Sequence, residues 1–382
     1  MLSIQTTQLN IPTGMIDLGI GQPSPSLLPL NMLDKAARHR LSQADPSLLA
    51  YGAEPGDGFF RLALAEWLTK HYGATVNADH LFVTTGASQG LDLICTLFTQ
   101  PGDTVLVEEP SYFLALRIFA DHRLKVISLP MDNDGLNLEV LEAALAQHRP
   151  VFLYTVPVFH NPSGITLSAT RRRRLIELSE QHDFLIVADE VYQLLAYNTA
   201  PPPPLISFDR FGTVLSLGSF SKILAPGLRL GWLQGQPALL DRFINSGLLD
   251  SGGGLNPFTS AIVRRVIESD SQEKHLSQLN HVYRQRAAAL SSALHRLLPK
   301  IVTFMEPNGG FFIWIQLPET IDVERLLPDL HRRHINIQPG VKFSSQGGLR
   351  NYARLCFAYY DIEDLAEGVA RLARALTQMG HT

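Results

Sequence analysis

The sequence predicts an α/β protein: a large domain on a mostly parallel sheet with helices on both faces, then a smaller α+β domain. Two observations carry this reading. From about Leu81 to Leu233, short β-rich runs alternate with helical ones, the pattern of strand-helix-strand units in a parallel sheet. Beyond about Ser277 the alternation stops and a long helical stretch takes over. The expected division is a segment over 1–45, the large domain over 46–280 and the small one over 281–382.

The elements follow in order. LFVTT (81–85) is an apolar, β-branched run of strand length, and a helix through Leu91 to Phe98 follows it. TVLVEE (104–109) and LKVISL (124–129) are the next strands, separated by a helix near Leu114. A helix from Leu138 to Ala146 leads to PVFLYTV (150–156), and one carrying Arg171 leads to DFLIVADE (183–190). TVLSLG (213–218) and LRLGWL (228–233) complete the series. Ser277 to Leu298 then reads as one long helix, before GGFFIWIQL, a helix near Leu326, INIQPG, YARLCFAYY and an amphipathic helix from about Asp364 to Leu376.

Composition narrows the function classes. A chain of 382 residues with 45% hydrophobic content buries a large core. Its 32 Lys and Arg against 36 Asp and Glu leave a net charge of −4, which disfavours nucleic acid as a partner. Cys95 and Cys356 each sit in an apolar run and read as core thiols in a reducing compartment. The stretch MLSIQTTQLNIPTG lacks a secretory leader's basic and apolar regions, and no apolar window of about 18 residues occurs. The expectation is a soluble, cytoplasmic protein with no membrane partner. Ser168 reads as the N-cap of a helix whose Arg171 to Arg174 form a solvated face, and Pro201 to Pro204 as a stiff surface loop. His331 and His334 in HRRH lack a carboxylate partner and read as a polar helix face, so no metal is expected. DNDG at Asp132 has the wrong spacing for a calcium loop and suits a β-turn.

The chemistry concentrates in SFSKILAPGLRLGW. Lys222 follows Ser219 and Ser221, with Arg229 seven positions on. A carbonyl-bearing, phosphorylated cofactor needs an amine to condense with, hydroxyls for its phosphate and a guanidinium that binds two oxygens at once. Pyridoxal 5'-phosphate fits these demands. Thr85-Gly86-Ala87-Ser88-Gln89 joins a strand to a helix, and amides at a helix N-terminus hold anions. A plain strand-to-helix cap is the other reading of that turn.

These segments resemble the fold type I pyridoxal-phosphate enzymes, and within them the class I and II aminotransferases of the 2-aminoadipate, kynurenine and aromatic branch. The similarity runs in order from Asp17 to about Leu376. It implies a seven-stranded sheet, an N-terminal segment packed on the small domain, an active site between domains and an obligate homodimer. It also implies roles for particular residues. Lys222, Asp189 and Tyr192 would be catalytic, with Asp189 in VADEVY holding the ring nitrogen protonated, although a helix N-cap is its other reading. Gly86, Ala87, Ser88, Gln89, Ser219, Ser221 and Arg229 would hold the phosphate, Tyr112 in EEPSYF would stack on the ring, and Asn161 in HNPSG with Tyr192 would bond its phenolic oxygen. The Asn161-Pro162 bond is a candidate cis peptide. Tyr51 would reach the partner's phosphate, and Arg354 in YARLCFA, with Gly21 and Asn161, would bind substrate. The chain departs from the family pattern at His160 and Cys356; His160 either touches substrate or is a hydrogen-bonded structural imidazole.

Three functions follow in outline: an aminotransferase moving an amino group from an L-amino acid, with a hydrophobic, aromatic or 2-aminoadipate-like donor expected, to a 2-oxo acid; a lyase or decarboxylase on the same scaffold; or a cofactor-sensing regulatory domain. The similarity begins at Asp17 and leaves no room for a DNA-binding module, which favours an enzyme.

Overall fold

A computed structural model of the chain describes residues 7–378; residues 1–6 and 379–382, which the expected terminal segments include, lie outside it. The chain enters through β1 (Ile16–Asp17), α1 (Leu30–Leu41) and α2 (Gly58–Tyr72). The alternating part runs β2 (Leu81–Thr84), α3 (Ala87–Phe98), β3 (Thr104–Glu109), α4 (Phe113–Asp121), β4 (Lys125–Asp132), β5 (Gly135–Leu136), α5 (Leu138–Gln147), β6 (Phe152–Thr155), α6 (Ala169–His182), β7 (Leu185–Asp189), β8 (Val214–Ser219) and β9 (Gly231–Gln234). After α7 (Pro237–Ile244), α8 (Gly247–Gly252), α9 (Pro257–Glu268) and α10 (Ser271–Leu297) come β10 (Phe312–Gln316), α11 (Val323–Arg332), β11 (Ile335–Asn336), β12 (Gln338–Pro339), β13 (Tyr352–Cys356) and α12 (Ile362–Gln378).

The large sheet has the order β2-β9-β8-β7-β6-β3-β4-β5. Seven strands of four or more residues form it, as expected, and the two-residue β5 is an eighth, folded back on β4 by the turn at Asp132 to Gly135. Strands β8, β7, β6, β3 and β4 are mutually parallel, and only β9 and β5 run against them. Side chains alternate between the two faces. Val105, Val107, Phe152, Tyr154, Val187, Leu215 and Leu217 pack with Ile94, Phe119 and Phe243 of α3, α4 and α7. Leu106, Leu153, Ile186, Ala188 and Val214 pack with Leu141, Leu145, Leu175 and Ile176 of α5 and α6. Burial on both faces explains why these strands read as unbroken apolar runs.

Beyond α10 a three-stranded antiparallel sheet, β10-β13-β12, shares one apolar core with α10 and α12. The N-terminal segment joins this part: β1 pairs in parallel with β11, and Cys356 donates its backbone N–H to the Leu18 carbonyl. Helix α10 starts six residues before the expected Ser277, after Asp270 in a left-handed conformation. The inward residues of its first turns, Gln272 and His275, are polar, so no apolar periodicity marks them.

The arginine run corrects the expectation of a solvated face. Arg171 and Arg174 do pair at the surface, with Asp132 and with Glu142 and Glu177. Arg172 is fully buried. Its Nη1 lies 3.5 Å from buried Glu190, and its nitrogens donate to the carbonyls of Leu167, Pro157 and Pro203, which ties down the proline loop. Glu190 also accepts from Ser216 Oγ and from the Leu205 N–H. Replacing Arg172 with Met strands a buried carboxylate, so the expected loss of stability is about 3–5 kcal/mol. Urea unfolding measures it, with Arg172→Met/Glu190→Gln expected to recover part; a loss below about 1 kcal/mol would mean water screens the pair.

Candidate active site

Because β2, β3, β6, β7 and β8 point the same way, their carboxyl ends deliver functional side chains to one edge. Asp189 ends β7, Ser219 ends β8, Gly86 follows β2, Tyr112 follows β3 and Asn161 follows β6. Arg229 precedes β9, the strand that runs against its neighbours, and so reaches the same edge. From the other side, β13 and the N-terminal segment bring Arg354 and Gly21.

Lys222 stands on the turn after β8 and donates from Nζ to the Gly21 carbonyl at 2.9 Å. Its ammonium lies 5.5 Å from the centre of the Phe311 ring. Burial lowers its pKa from 10.5 to about 8; the charges of Arg354 and Arg229 push the same way, and Cys356 and Asp189 oppose them. The amine is thereby brought toward the neutral form that attacks a carbonyl.

Asp189 is buried, and burial raises its pKa. One carboxylate oxygen, Oδ2, accepts from Tyr154 Oη at 2.8 Å. Its Oδ1 is buried with no hydrogen-bond partner among the described residues. A protonated ring nitrogen would satisfy that oxygen, which is the first sign that the residues fit pyridoxal 5'-phosphate. The second is at Gly86, where φ is +84° and an added Cβ would lie 2.7 Å from Arg229 Nη2. Only glycine leaves room there for the guanidinium to sit over the first turn of α3. That helix has no side-chain cap, so its first amides are free for an anion.

Around this cradle Arg229 donates to the carbonyls of Pro226 and Thr85, and Ser219 Oγ donates to Ser221 Oγ at 3.0 Å. Ala87 opens α3 and Ser88 is exposed beside it, while Gln89 is partly spent in accepting from the Thr85 N–H at 3.0 Å. Tyr112 is half-buried; burial and the Asp189 charge push its hydroxyl up to about 12, with Arg354 opposing. Tyr192 is buried against the Phe311 and Phe312 rings, and its hydroxyl makes no hydrogen bond among the described residues.

Arg354 and Asn161 form one unit. Arg354 is buried, which lowers its pKa, and it stacks 4.0 Å over the Phe312 ring. Its Nη1 donates to Asn161 Oδ1 at 2.9 Å, its Nη2 to the Gly19 carbonyl at 2.7 Å, and its Nε is buried without a partner. With Oδ1 engaged, Asn161 turns its amide nitrogen outward as a donor. The Asn161-Pro162 peptide is cis, as is Glu109-Pro110. His160 resolves as structural: it is fully buried, its Nδ1 accepts from the Ser163 N–H at 3.2 Å, and its Nε2 lies 3.2 Å from Glu108. Glu108 in turn holds Thr155 and the Val156 N–H.

Tyr51 is the site residue that this chain does not bring to Lys222. It is 86% exposed, beside Gly253. Sequence reading missed Tyr154 and Phe312, both inside apolar strands where a ring looks like core; a lone tyrosine in a run as apolar as PVFLYTV was the available signal. Cys95 and Cys356 are buried and unpaired. Among the described residues there is no group of three or more metal-ligating side chains, and His331 Nε2 pairs with Asn336. No described helix is long and apolar enough to cross a membrane.

Comparison with known proteins agrees with this geometry. The family model for aminotransferase class I and II matches residues 13–372. The aromatic-amino-acid aminotransferase 1 of Thermococcus litoralis is 34% identical, over 95% of this chain and 88% of that protein. The solved structure of LysN, an α-aminoadipate aminotransferase of Thermus thermophilus complexed with N-(5'-phosphopyridoxyl)-L-leucine, superposes with a TM-score of 0.88 at 32% identity, over 96% of this chain and 93% of that one. An uncharacterised HTH-type transcriptional regulator of Bacillus subtilis, YdfD, is 31% identical over 96% of this chain but only 75% of its own length. With the family model matched over nearly its whole length, the chain belongs to the class I and II aminotransferases and is a pyridoxal-phosphate-dependent enzyme of fold type I.

Proposed function

We propose that the chain transfers the amino group of an L-amino acid with a hydrophobic, aromatic or 2-aminoadipate-like side chain to a 2-oxo acid, in ping-pong fashion. One observation carries the assignment of roles: Lys222, Asp189 and Arg354, from three distant segments, share one buried space in which each keeps an unmet demand. The ammonium is disfavoured, one carboxylate oxygen is bare and one guanidinium nitrogen is free.

When bound, pyridoxal 5'-phosphate supplies an electron-withdrawing ring that stabilises negative charge at the substrate α-carbon. Asp189 keeps the ring nitrogen protonated, with Tyr154 fixing the carboxylate's orientation. The α3 amides, Gly86, Ala87, Ser88, Gln89, Ser219, Ser221 and Arg229 hold the phosphate. Tyr112 covers the ring face, and Asn161 and Tyr192 donate to the phenolic oxygen. Lys222 Nζ anchors the cofactor, then removes the α-proton and returns it across the transferring nitrogen as base and acid. Arg354 binds the α-carboxylate, with Gly21 beside it, where an added Cβ would make ordinary contact with Phe312 and with Arg354 Nη2 at 3.5 Å. The side-chain preference is supported by the Phe312 and Phe343 rings beside Arg354.

We further propose a homodimer in which Tyr51 completes the partner's phosphate site. Exposed Leu49, Tyr51, Phe59, Leu62 and Phe258 gather near the contacts of α2 with α9, a surface apolar enough to need a cover. The division 1–45, 46–280 and 281–382 fits this reading, with α10 running through the last boundary as a shared strut. Two buried, unpaired thiols suit a reducing cytoplasm. Similarity to YdfD supports a second reading, a cofactor-sensing regulatory domain.

Mixing the loaded protein with a panel of L-amino acids separates these. Conversion of its near-visible absorbance to the amine form by aromatic and aliphatic donors, with none in Lys222→Ala, is the expected result. Release of pyruvate or carbon dioxide would indicate a lyase or decarboxylase, and binding without turnover a sensor. Capture of added pyridoxal 5'-phosphate by the cofactor-free chain should rise with pH through about 8 and then level off, whereas an ordinary lysine would keep rising toward 10.5. The same group binds a proton in the unfolded chain that the folded chain has released between those values, so its contribution to stability should rise with pH across that window, as urea unfolding would register. Sedimentation should give a dimer, and Tyr51→Ala should weaken cofactor retention about tenfold or more, the loss of one charge-assisted hydrogen bond. A monomer with full retention would remove the shared site.

A further inference from the structure

A cavity of about 850 Å³ lies away from the cofactor edge, between α1 and the α9-α10 corner. Its charged lining is of one sign, Lys35 from α1, Arg265 from α9 and Lys274 from α10, with the imidazoles of His39 and His275 beside them. Among the described residues, the side chains of Lys35, Arg265 and Lys274 have no hydrogen-bonding or ion-pair partner, and His39 touches only Gln43. Of the acids on these helices, Asp34 pairs with Arg38, Glu268 with Arg264, and Glu273 with Lys70 and His71, while Asp270, between the lining residues Ser269 and Ser271, is exposed and has no ion pair among the described residues. No acid lines the cavity.

His275 makes this more than a basic patch. It is 8% exposed, and its Nε2 is buried without a partner, although the residue lines the cavity. One turn earlier on α10, Gln272 donates to the Ile223 carbonyl at 2.8 Å. Behind the cavity, then, α10 holds the residue that follows Lys222. The remaining wall is apolar, from Leu30, Met32, Ala36 and Val266. Uncommitted cations, a buried polar atom without a partner and an apolar floor define a receptor for an anion that carries an apolar body.

We propose that this cavity is a second binding site, distinct from the active site, for a small organic dianion, its head a phosphomonoester or a dicarboxylate and its body apolar. The head bridges Arg265 and Lys274 and presents a hydrogen bond to His275, while Lys35 closes from α1. Calorimetric titration of the cofactor-loaded enzyme tests it, with phenyl phosphate and phenylsuccinate as the two head chemistries and inorganic phosphate as the bare head. Saturable binding of at least one aryl dianion, tighter than phosphate, is expected. Arg265→Ala/Lys274→Ala should weaken it about tenfold or more while retaining the cofactor spectrum and melting temperature, and Arg354→Lys should leave it unchanged. Lys35→Gln, on a different helix, gives the same reading if the double variant is unstable. No binding at about 10 mM, binding that survives both cavity variants, or binding lost in Arg354→Lys would overturn the proposal.

Discussion

Burial of charge without full compensation is the constraint on which this structure depends. Water normally stabilises an ammonium, a carboxylate and a guanidinium, and a folded chain that removes it must replace it. Around Lys222, Asp189 and Arg354 the replacement is partial. Each has at least one partner that fixes its direction: the Gly21 carbonyl for Lys222, the Tyr154 hydroxyl for Asp189, the Gly19 carbonyl and Asn161 for Arg354. In the proposed reading, what stays bare is where cofactor and substrate complete the set.

The fold supplies that arrangement through strand direction. Parallel strands place their carboxyl ends, and hence the loops after them, along a single edge. The one strand of the central group that runs backward, β9, is preceded by Arg229 in a left-handed conformation, so its guanidinium still reaches the edge, over Gly86. The two glycines at 19 and 21 come from the opposite direction on a segment fixed by β1 against β11 and by Leu18 against β13. The pairing of β1 with β11 thus holds the N-terminal segment at the site.

What the sequence made legible follows from this physics. Strands buried on both faces must be apolar throughout, so every strand of the large sheet except β5 stood out, and β5 did not because two residues carry no periodicity. Lys222, Arg229, Asp189, Asn161 and Arg354 were readable because glycine, proline and charge occur together where a loop carries chemistry. Tyr154 and Phe312 were hidden because a ring pointing into a site and a ring pointing into a core have the same strand context. Arg172 was hidden for the converse reason: in RRRR nothing distinguishes the residue facing the proline loop from its solvated neighbours. The start of α10 was obscured by Gln272 and His275, buried polar residues that no hydrophobic pattern records, Gln272 holding the Ile223 carbonyl.

The adjacent pair Asp189 and Glu190 shows how one strand separates structural from chemical burial. Alternation sends Glu190 to the α5-α6 face, where Arg172, Ser216 and the Leu205 amide saturate it. It sends Asp189 to the opposite face, with Tyr154 and without any cation in hydrogen-bond reach. Both carboxyls are pushed up by burial, yet only Glu190 has a guanidinium drawing it back down as its leading counterweight. A one-residue slip of β7 would exchange them, leaving the ring site saturated and the proline loop unpaired. The ladder of β6, β7 and β8, which fixes Tyr154 opposite Val187 and Asp189 opposite Leu217, therefore sets the register of the chemistry as well as of the sheet.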